Sequence, residues 1–318
     1  MIRGFIIRNG QPQSISEAQV EHLTSGHGFL WLHLDGRDES SRPMIEGDTA
    51  IPPTARSALF AHETRPRCSV MNGGALINLR GLGSTPDDDP DPLVSIRIWA
   101  EKGRVITVSF HSIAAYEPVA ARFLDGQILD PGDLIAAIAD EITDSLDPDV
   151  ATLGDRLDDI ESELDGNPPT SLRRQVSEIR SQAISYRRFI APQRQALDRI
   201  SQTDLPWLEA ADHIHLREAA DRCARMAEEL EAVRERAALA HEELTDLRAE
   251  QLDRRSLLIS IVALIFLPVT FVTGLLGMNV KGIPYAHEPW AFWGVAAFCA
   301  LIAGTVGLWF ASTRWVNR

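Results

Sequence analysis

Only three cysteines occur in 318 residues, Cys68, Cys223 and Cys299, and no two are spaced as CxxC. That usage suits a reducing compartment and excludes a disulfide scaffold. No GxxxxGK[ST], HExxH or GxSxG is present, so neither nucleotide hydrolysis nor covalent catalysis has a visible site. The expectation is a protein that is not an enzyme and takes no cofactor or nucleotide. Positive charge is also scarce: 31 Lys and Arg stand against 45 Asp and Glu, a formal net charge of -14 and a pI near 5.1. That balance argues against a nucleic-acid partner and fits an interior that attracts cations. Residues 1–10 alternate apolar and polar like a strand and carry no h-region, so no signal peptide is expected.

Long uncharged runs are what the chain does have, and both lie at its C-terminal end. Residues 257–276 and 290–310 contain no charge and are 20 and 21 residues long, each enough to cross ~30 Å of hydrocarbon as a helix. The mean hydropathy of -0.09 conceals them, because the preceding residues are soluble in character. The expected organisation is a large aqueous domain on a two-helix membrane anchor. Arg248, Arg254 and Arg255 precede the first run, Arg314 and Arg318 follow the second, and Lys281 alone lies in the loop between them. By the positive-inside rule both termini should face the cytoplasm.

Strand signals occupy the first ~110 residues: runs at 28–34, 75–82, 94–100 and 104–110, the last two flanking a Glu101-Lys102-Gly103 hairpin. A Pro/Asp loop at 84–92 carries Asp87, Asp88, Asp89 and Asp91, read as a solvated acidic connection and not a cation site. Helical patterning follows over 114–127, 131–146, 150–164, 171–203 and 206–255, with breaks at Pro168-Pro169 and Leu205-Pro206. This order predicts an α/β or α+β domain (1–130), a helical stalk (131–255) and a transmembrane domain (256–318) with an external loop at 277–289.

Two stripes run down the last helix. Cys223, Met226, Leu230, Val233, Ala237, Ala240, Leu244 and Leu247 recur at spacings of three and four, the seam of a helix packed along a partner. No stop separates this seam from Leu257, so stalk and first span are expected to form one helix. On nearly the opposite face lie Gly274, Thr270, Leu267, Ala263, Ser260, Ser256, Asp253, Ala249, Asp246, Glu242, Leu239 and Glu235. This face is small or mildly polar within the bilayer and acidic below it. It can line a water-filled path, or it can be a packing surface continued by a solvated stalk. Two helices cannot enclose a pore, so the first alternative requires a cyclic homo-oligomer with the first span around the axis. The second span would lie outside, with Ala296, Ala300 and Gly304 allowing close approach to a neighbour.

Gly277-Met278-Asn279 stands directly after the first span. With the long stalk helix and two C-terminal spans, it resembles the CorA-type divalent metal ion transporters over essentially the whole chain. The continuation Val280-Lys281-Gly282-Ile283-Pro284, together with Trp31-Leu32-His33-Leu34-Asp35 and Leu76-Ile77-Asn78-Leu79-Arg80-Gly81, is similar to the zinc-transporting ZntB branch. The resemblance implies a homopentamer of the bacterial inner membrane that carries Zn2+, with the cytoplasmic domains forming a funnel. One departure is Lys281, at a position where the magnesium branch tends to place an acid; Glu288 at the far end of the loop partly offsets it.

The resemblance also implies roles. A ring of Asn279 amides at the filter would hydrogen-bond a hydrated ion without trapping it. Gly277 would permit a close turn, Met278 would pack, Thr270 would form a hydroxyl ring about 13 Å inward at about 1.5 Å per residue, and Leu267 would form an apolar constriction. Zinc prefers nitrogen and sulfur ligands, yet His213, His215, His241 and His287 show no chelating spacing, so no resident metal site is assigned. Two rivals stand beside a zinc transporter, proton-coupled or not: a magnesium or cobalt channel of the same fold, and a membrane-tethered sensor or scaffold.

Overall fold

The computed structural model describes residues 2–16, 28–61, 65–84, 93–164, 171–285 and 287–312. Residues 85–92 and the Pro168-Pro169 break lie outside them. The chain divides into two compact units, Met1–His241 and Glu242–Arg318.

The first unit is built on a seven-stranded sheet of order β2-β1-β3-β7-β6-β5-β4. Its strands are β1 (Ile2–Arg8), β2 (Gln11–Ile15), β3 (Phe29–Asp35), β4 (Arg67–Met71), β5 (Gly74–Leu82), β6 (Leu93–Glu101) and β7 (Arg104–Ser109). Every neighbouring pair is antiparallel except β3 and β7, which run parallel. Between the strands and after them come α1 (Ser41–Glu46), α2 (Pro53–Leu59), α3 (Tyr116–Leu124), α4 (Pro131–Leu164), α5 (Leu172–Ser201) and α6 (Ala210–Leu276). β5, β6 and β7 are buried at nearly every position, the signature of strands covered on both faces. One face packs Leu32, Leu34, Leu76, Trp99, Ile106 and Val108 against Ile45, Ile51, Ala55 and Leu59 of the α1–α2 region. The other carries an aromatic cluster in which Trp31 stacks on Phe5 at 4.8 Å and approaches Phe123 and Tyr116 of α3. Burial, with Arg3 as a second cause, pushes the His33 imidazole down to about 4.

The expected break between 146 and 150 is absent, and α4 continues through Pro148. Ile142, Leu146, Val150, Leu153, Leu157, Ile160 and Leu164 keep one buried stripe across the proline. Asp144, whose carbonyl loses its i+4 donor, is exposed. α6 fulfils the expectation of a single helix running into the first span, beginning at Ala210 and not 206. Its seam is buried at Cys223, Met226, Leu230, Val233, Ala237, Ala240 and Leu244; each fully buried Leu contributes roughly 1.5–3 kcal/mol. Arg236 braces it by ion pairs to Asp158 and Glu161 of α4, which hold its guanidinium above the usual arginine range.

The second unit contains the membrane end of α6 and α7 (Ala291–Ser312). Both helices are long and apolar enough to cross a membrane.

Candidate functional site

One side of the membrane end of α6 is half-buried and the rest is exposed, large apolar residues such as Ile259, Phe266 and Phe271 included. Leu257, Ile261, Ile265, Pro268, Val269 and Val272 are half-buried, and on α7 the half-buried positions are Ala291, Val295, Cys299, Ile302, Ala303, Val306, Gly307 and Phe310. On each helix these recur every three or four residues and mark a single side. Asp253, Ser256, Ser260, Ala263, Leu267, Thr270 and Gly274 are all exposed, Leu267 at 73%. The stripe read from the sequence therefore remains open within the single chain. Ala296, Ala300 and Gly304 of α7 are likewise exposed.

Hydroxyls on this helix are partly satisfied by its own backbone. Ser260 Oγ donates to the Ser256 carbonyl at 2.9 Å, and Thr273 Oγ1 donates to the Val269 and Thr270 carbonyls at 3.0 and 3.2 Å. In hydrocarbon such back-bonding lets a hydroxyl remain without a second partner, while its lone pairs stay available to a passing donor. Pro268 lacks an N–H and releases the Leu264 carbonyl from the helix ladder. At the inner end, Asp253, Ser256 and Ser260 line a cleft of about 580 Å³ with Leu257, Ile261, Trp309 and Phe310. The two aromatics were not singled out by sequence reasoning, because their pairing depends on how the spans lie side by side.

α6 ends at Leu276, and Gly277 donates its N–H to the Thr273 carbonyl at 2.9 Å. A Cβ at Gly277 would lie 2.9 Å from that same oxygen, so the turn into Met278 and Asn279 is closed to larger residues without a shift of the backbone. Asn279 lies beyond the helix, so only the six steps from Thr270 to Leu276 follow helical rise, about 9 Å. That shortens the helical part of the expected spacing. Met278 is half exposed. Asn279, Lys281, His287 and Glu288 are all exposed. Glu288 is placed by backbone bonds, its N–H to the Tyr285 carbonyl and its carbonyl accepting from Ala291, both at 3.1 Å.

On the stalk, Glu235, Glu242 and Asp246 are exposed, with Glu235 3.7 Å from the Arg234 guanidinium. Among the described residues one acidic cluster was missed: Asp130, Asp133 and Asp212 bring carboxylate oxygens within 4.8 Å of one another. It forms because α4 and α6 both start there with acidic caps. Asp130 Oδ1 accepts from Asp133 N at 3.0 Å, and Asp212 Oδ2 accepts from Glu209 N at 2.8 Å. Burial raises the Asp212 carboxyl to about 6, with Asp130, Asp133 and Glu209 adding to the rise. The sequence signal was present as acids at both helix starts, but their meeting is tertiary.

A family model described as CorA-like Mg2+ transporter protein matches residues 26–314. Zinc transport protein ZntB of Pectobacterium carotovorum subsp. carotovorum (strain PC1) is 32% identical over 289 residues, covering 90% of this chain and 88% of that protein. The structure of the full-length CmaX protein gives a TM-score of 0.83 at 27% identity, covering 98% of this chain and 97% of that one. The complete structure of the CorA magnesium transporter from Methanocaldococcus jannaschii gives 0.80 at 16% identity, over 99% and 98% of the two chains, a likeness of fold. The mixed-sheet domain, long helix and two apolar C-terminal helices agree with these neighbours, as the resemblance implied. The chain belongs to the CorA-like Mg2+ transporter protein family.

Proposed function

We propose that the chain is one subunit of a homopentameric zinc transporter of a bacterial inner membrane, with both termini cytoplasmic. The observation that carries this reading is the exposed face of α6. A small and hydroxylated stripe from Ser256 to Gly274 ends at Gly277-Met278-Asn279, and the half-buried positions lie elsewhere on the helix. Five such faces around an axis make a path lined by small and hydroxylated residues and narrowed at Leu267, and the Ala296, Ala300, Gly304 ladder of α7 stays available for packing against a neighbouring subunit. Zinc is taken from the ZntB relative, 32% identical over nearly the whole chain. The Lys281 side chain, where an acid would favour magnesium capture, agrees with that choice.

Each segment has a task in this reading. Residues 256–318 form the pore, 131–255 the funnel, and 1–130 its outer support. Asn279 side chains and nearby carbonyls hydrogen-bond the ion's water shell at the outer mouth. Thr270 supplies a hydroxyl ring, Leu267 an apolar constriction that gates, and Ser260, Ser256 and Asp253 carry the ion towards the interior. Asp246, Glu242 and Glu235 hold a negative potential in the funnel. No ATP site is visible, so the driving force is an ion gradient or the membrane potential. For a doubly charged ion the potential supplies about 4.6 kcal/mol per 100 mV, at about 2.3 kcal/mol per charge.

Replacement of Asn279 by Ala tests the path. Zinc flux into proteoliposomes should fall at least tenfold while native mass spectrometry still finds the wild-type oligomer. Undiminished flux would remove Asn279 from the mechanism.

A further inference from the structure

Within the second unit, α6 and α7 lie side by side at their inner ends and leave a cleft of about 580 Å³ between them. Leu257, Ile261, Trp309 and Phe310 form its apolar walls, and Asp253 and Ser260 lie on its polar side. Apolar and aromatic walls with a few placed polar groups, enclosing about 300–1,000 Å³ between helices, are the make-up of a site for an organic ligand.

The polar side selects the sign of the charge. Among the described residues that line the cleft, Asp253 is the one charged group. Ser260 Oγ donates its hydrogen to the Ser256 carbonyl at 2.9 Å, so towards a ligand it offers lone pairs alone. An anion would meet a carboxylate and a second acceptor, whereas a cation finds both favourable.

The walls select the kind of cation. Trp309 and Phe310 stand edge to face, 5.0 Å between centroids and 82° between planes, and Trp309 is 60% exposed. Aromatic rings attract an organic cation through their quadrupole, indole most strongly, and this is how quaternary ammonium ions are recognised. Zinc and magnesium make poor use of such a place, because each needs several nitrogen, sulfur or oxygen donors and the apolar walls supply none. A cation whose charge lies beneath hydrocarbon uses the carboxylate and the walls together.

We propose that the cleft binds a hydrophobic organic monocation, an ammonium or phosphonium ion with bulky apolar substituents, its charge at Asp253 and its substituents against Leu257, Ile261, Trp309 and Phe310. Asp253 and Ser260 also belong to the exposed stripe of α6, so a ligand seated there obstructs zinc at the inner mouth. The obstruction rests on the pore reading of that stripe; the binding does not.

Tetraphenylphosphonium and tetraphenylborate share a size and shape and differ in the sign of their charge, which makes them probe and control. Full-length protein in nanodiscs, corrected for empty discs of the same lipid, should bind tetraphenylphosphonium saturably in equilibrium dialysis and tetraphenylborate at least tenfold more weakly. Asp253→Asn should weaken binding of the phosphonium at least tenfold and Trp309→Leu at least fivefold, while Asn279→Ala, at the outer mouth, should bind it as wild type does. In proteoliposomes with the membrane potential clamped at zero, the phosphonium should block wild-type zinc flux over the range in which it binds. Trp309→Leu should carry zinc normally in its absence and need at least fivefold more for the same block. Equal binding of the two probes, undiminished phosphonium binding in both Asp253→Asn and Trp309→Leu, or zinc flux unaffected at saturation would overturn the proposal. The expected binding pattern in a wild type that passes no zinc would leave the site standing and remove the pore reading instead.

Discussion

Asp212→Asn should stabilise the protein at neutral pH although it removes a charge from a helix N-terminus. Asp212 is almost fully buried, and it faces Asp130 and Asp133 at the start of α4 and Glu209 at the start of its own helix. Its carboxyl is raised from 3.8 to about 6. The folded state therefore holds a proton that the unfolded state has released, so this group's contribution falls as pH rises from 3.8 to about 6 and is flat above. At about 1.4 kcal/mol per pH unit the ceiling on the loss is about 3 kcal/mol. Screening of the half-exposed Asp130 and Asp133 reduces it to roughly 1–2 kcal/mol. The asparagine keeps an oxygen for the Glu209 N–H, bonded at 2.8 Å in the parent, and turns its NH2 towards the neighbouring carboxylates. At about 2–4 °C per kcal/mol for a unit of this size, the variant should melt about 2–8 °C above wild type at pH 7.5, and the gap should shrink to about a third of that by pH 4.5. Differential scanning fluorimetry of the detergent-solubilised protein across that range reads this directly. A variant that melts lower at pH 7.5, or by a margin independent of pH, would refute the electrostatic account of the cluster.

Lys281→Glu should raise zinc uptake most at low ionic strength, because five lysines around the mouth oppose capture and salt screens them within about 10 Å at 0.1 M. No change at any salt concentration would mean that this side chain points away from the axis. Gly277→Ala should cut flux severalfold with the oligomer retained, since its Cβ would stand 2.9 Å from the Thr273 carbonyl; wild-type flux would show that the turn yields without cost.

Local periodicity made much of the fold legible. The seam read from Cys223 to Leu247 is buried as far as Leu244 and half-buried at Leu247, and the Glu101 to Arg104 hairpin forms as read. β2 and β4 were missed although each adjoins an Asn-Gly turn. Asn9-Gly10 and Asn72-Gly73 all adopt positive φ, from 51° to 76°, the hairpin signal that should have flagged a strand on either side. β2 is mostly exposed, so its residues carry no apolar pattern. The helical ranges 131–146 and 150–164 form one helix, because the buried stripe through Pro148 outweighs one lost bond. The open stripe of α6 needed only the helical repeat. The Asp130, Asp133, Asp212 cluster joins residues far apart in the chain through two helix starts. No local pattern announces such meetings.

The central claim is that this chain moves zinc through its own membrane helices, and flux in proteoliposomes tests it most directly. Purified protein reconstituted with a zinc-sensitive dye inside should show Zn2+ entry that depends on the protein and exceeds Mg2+ entry measured in parallel under an imposed membrane potential and pH gradient. Vesicles with correctly inserted protein that admit Mg2+ in preference, or admit neither ion under any gradient, would contradict the account.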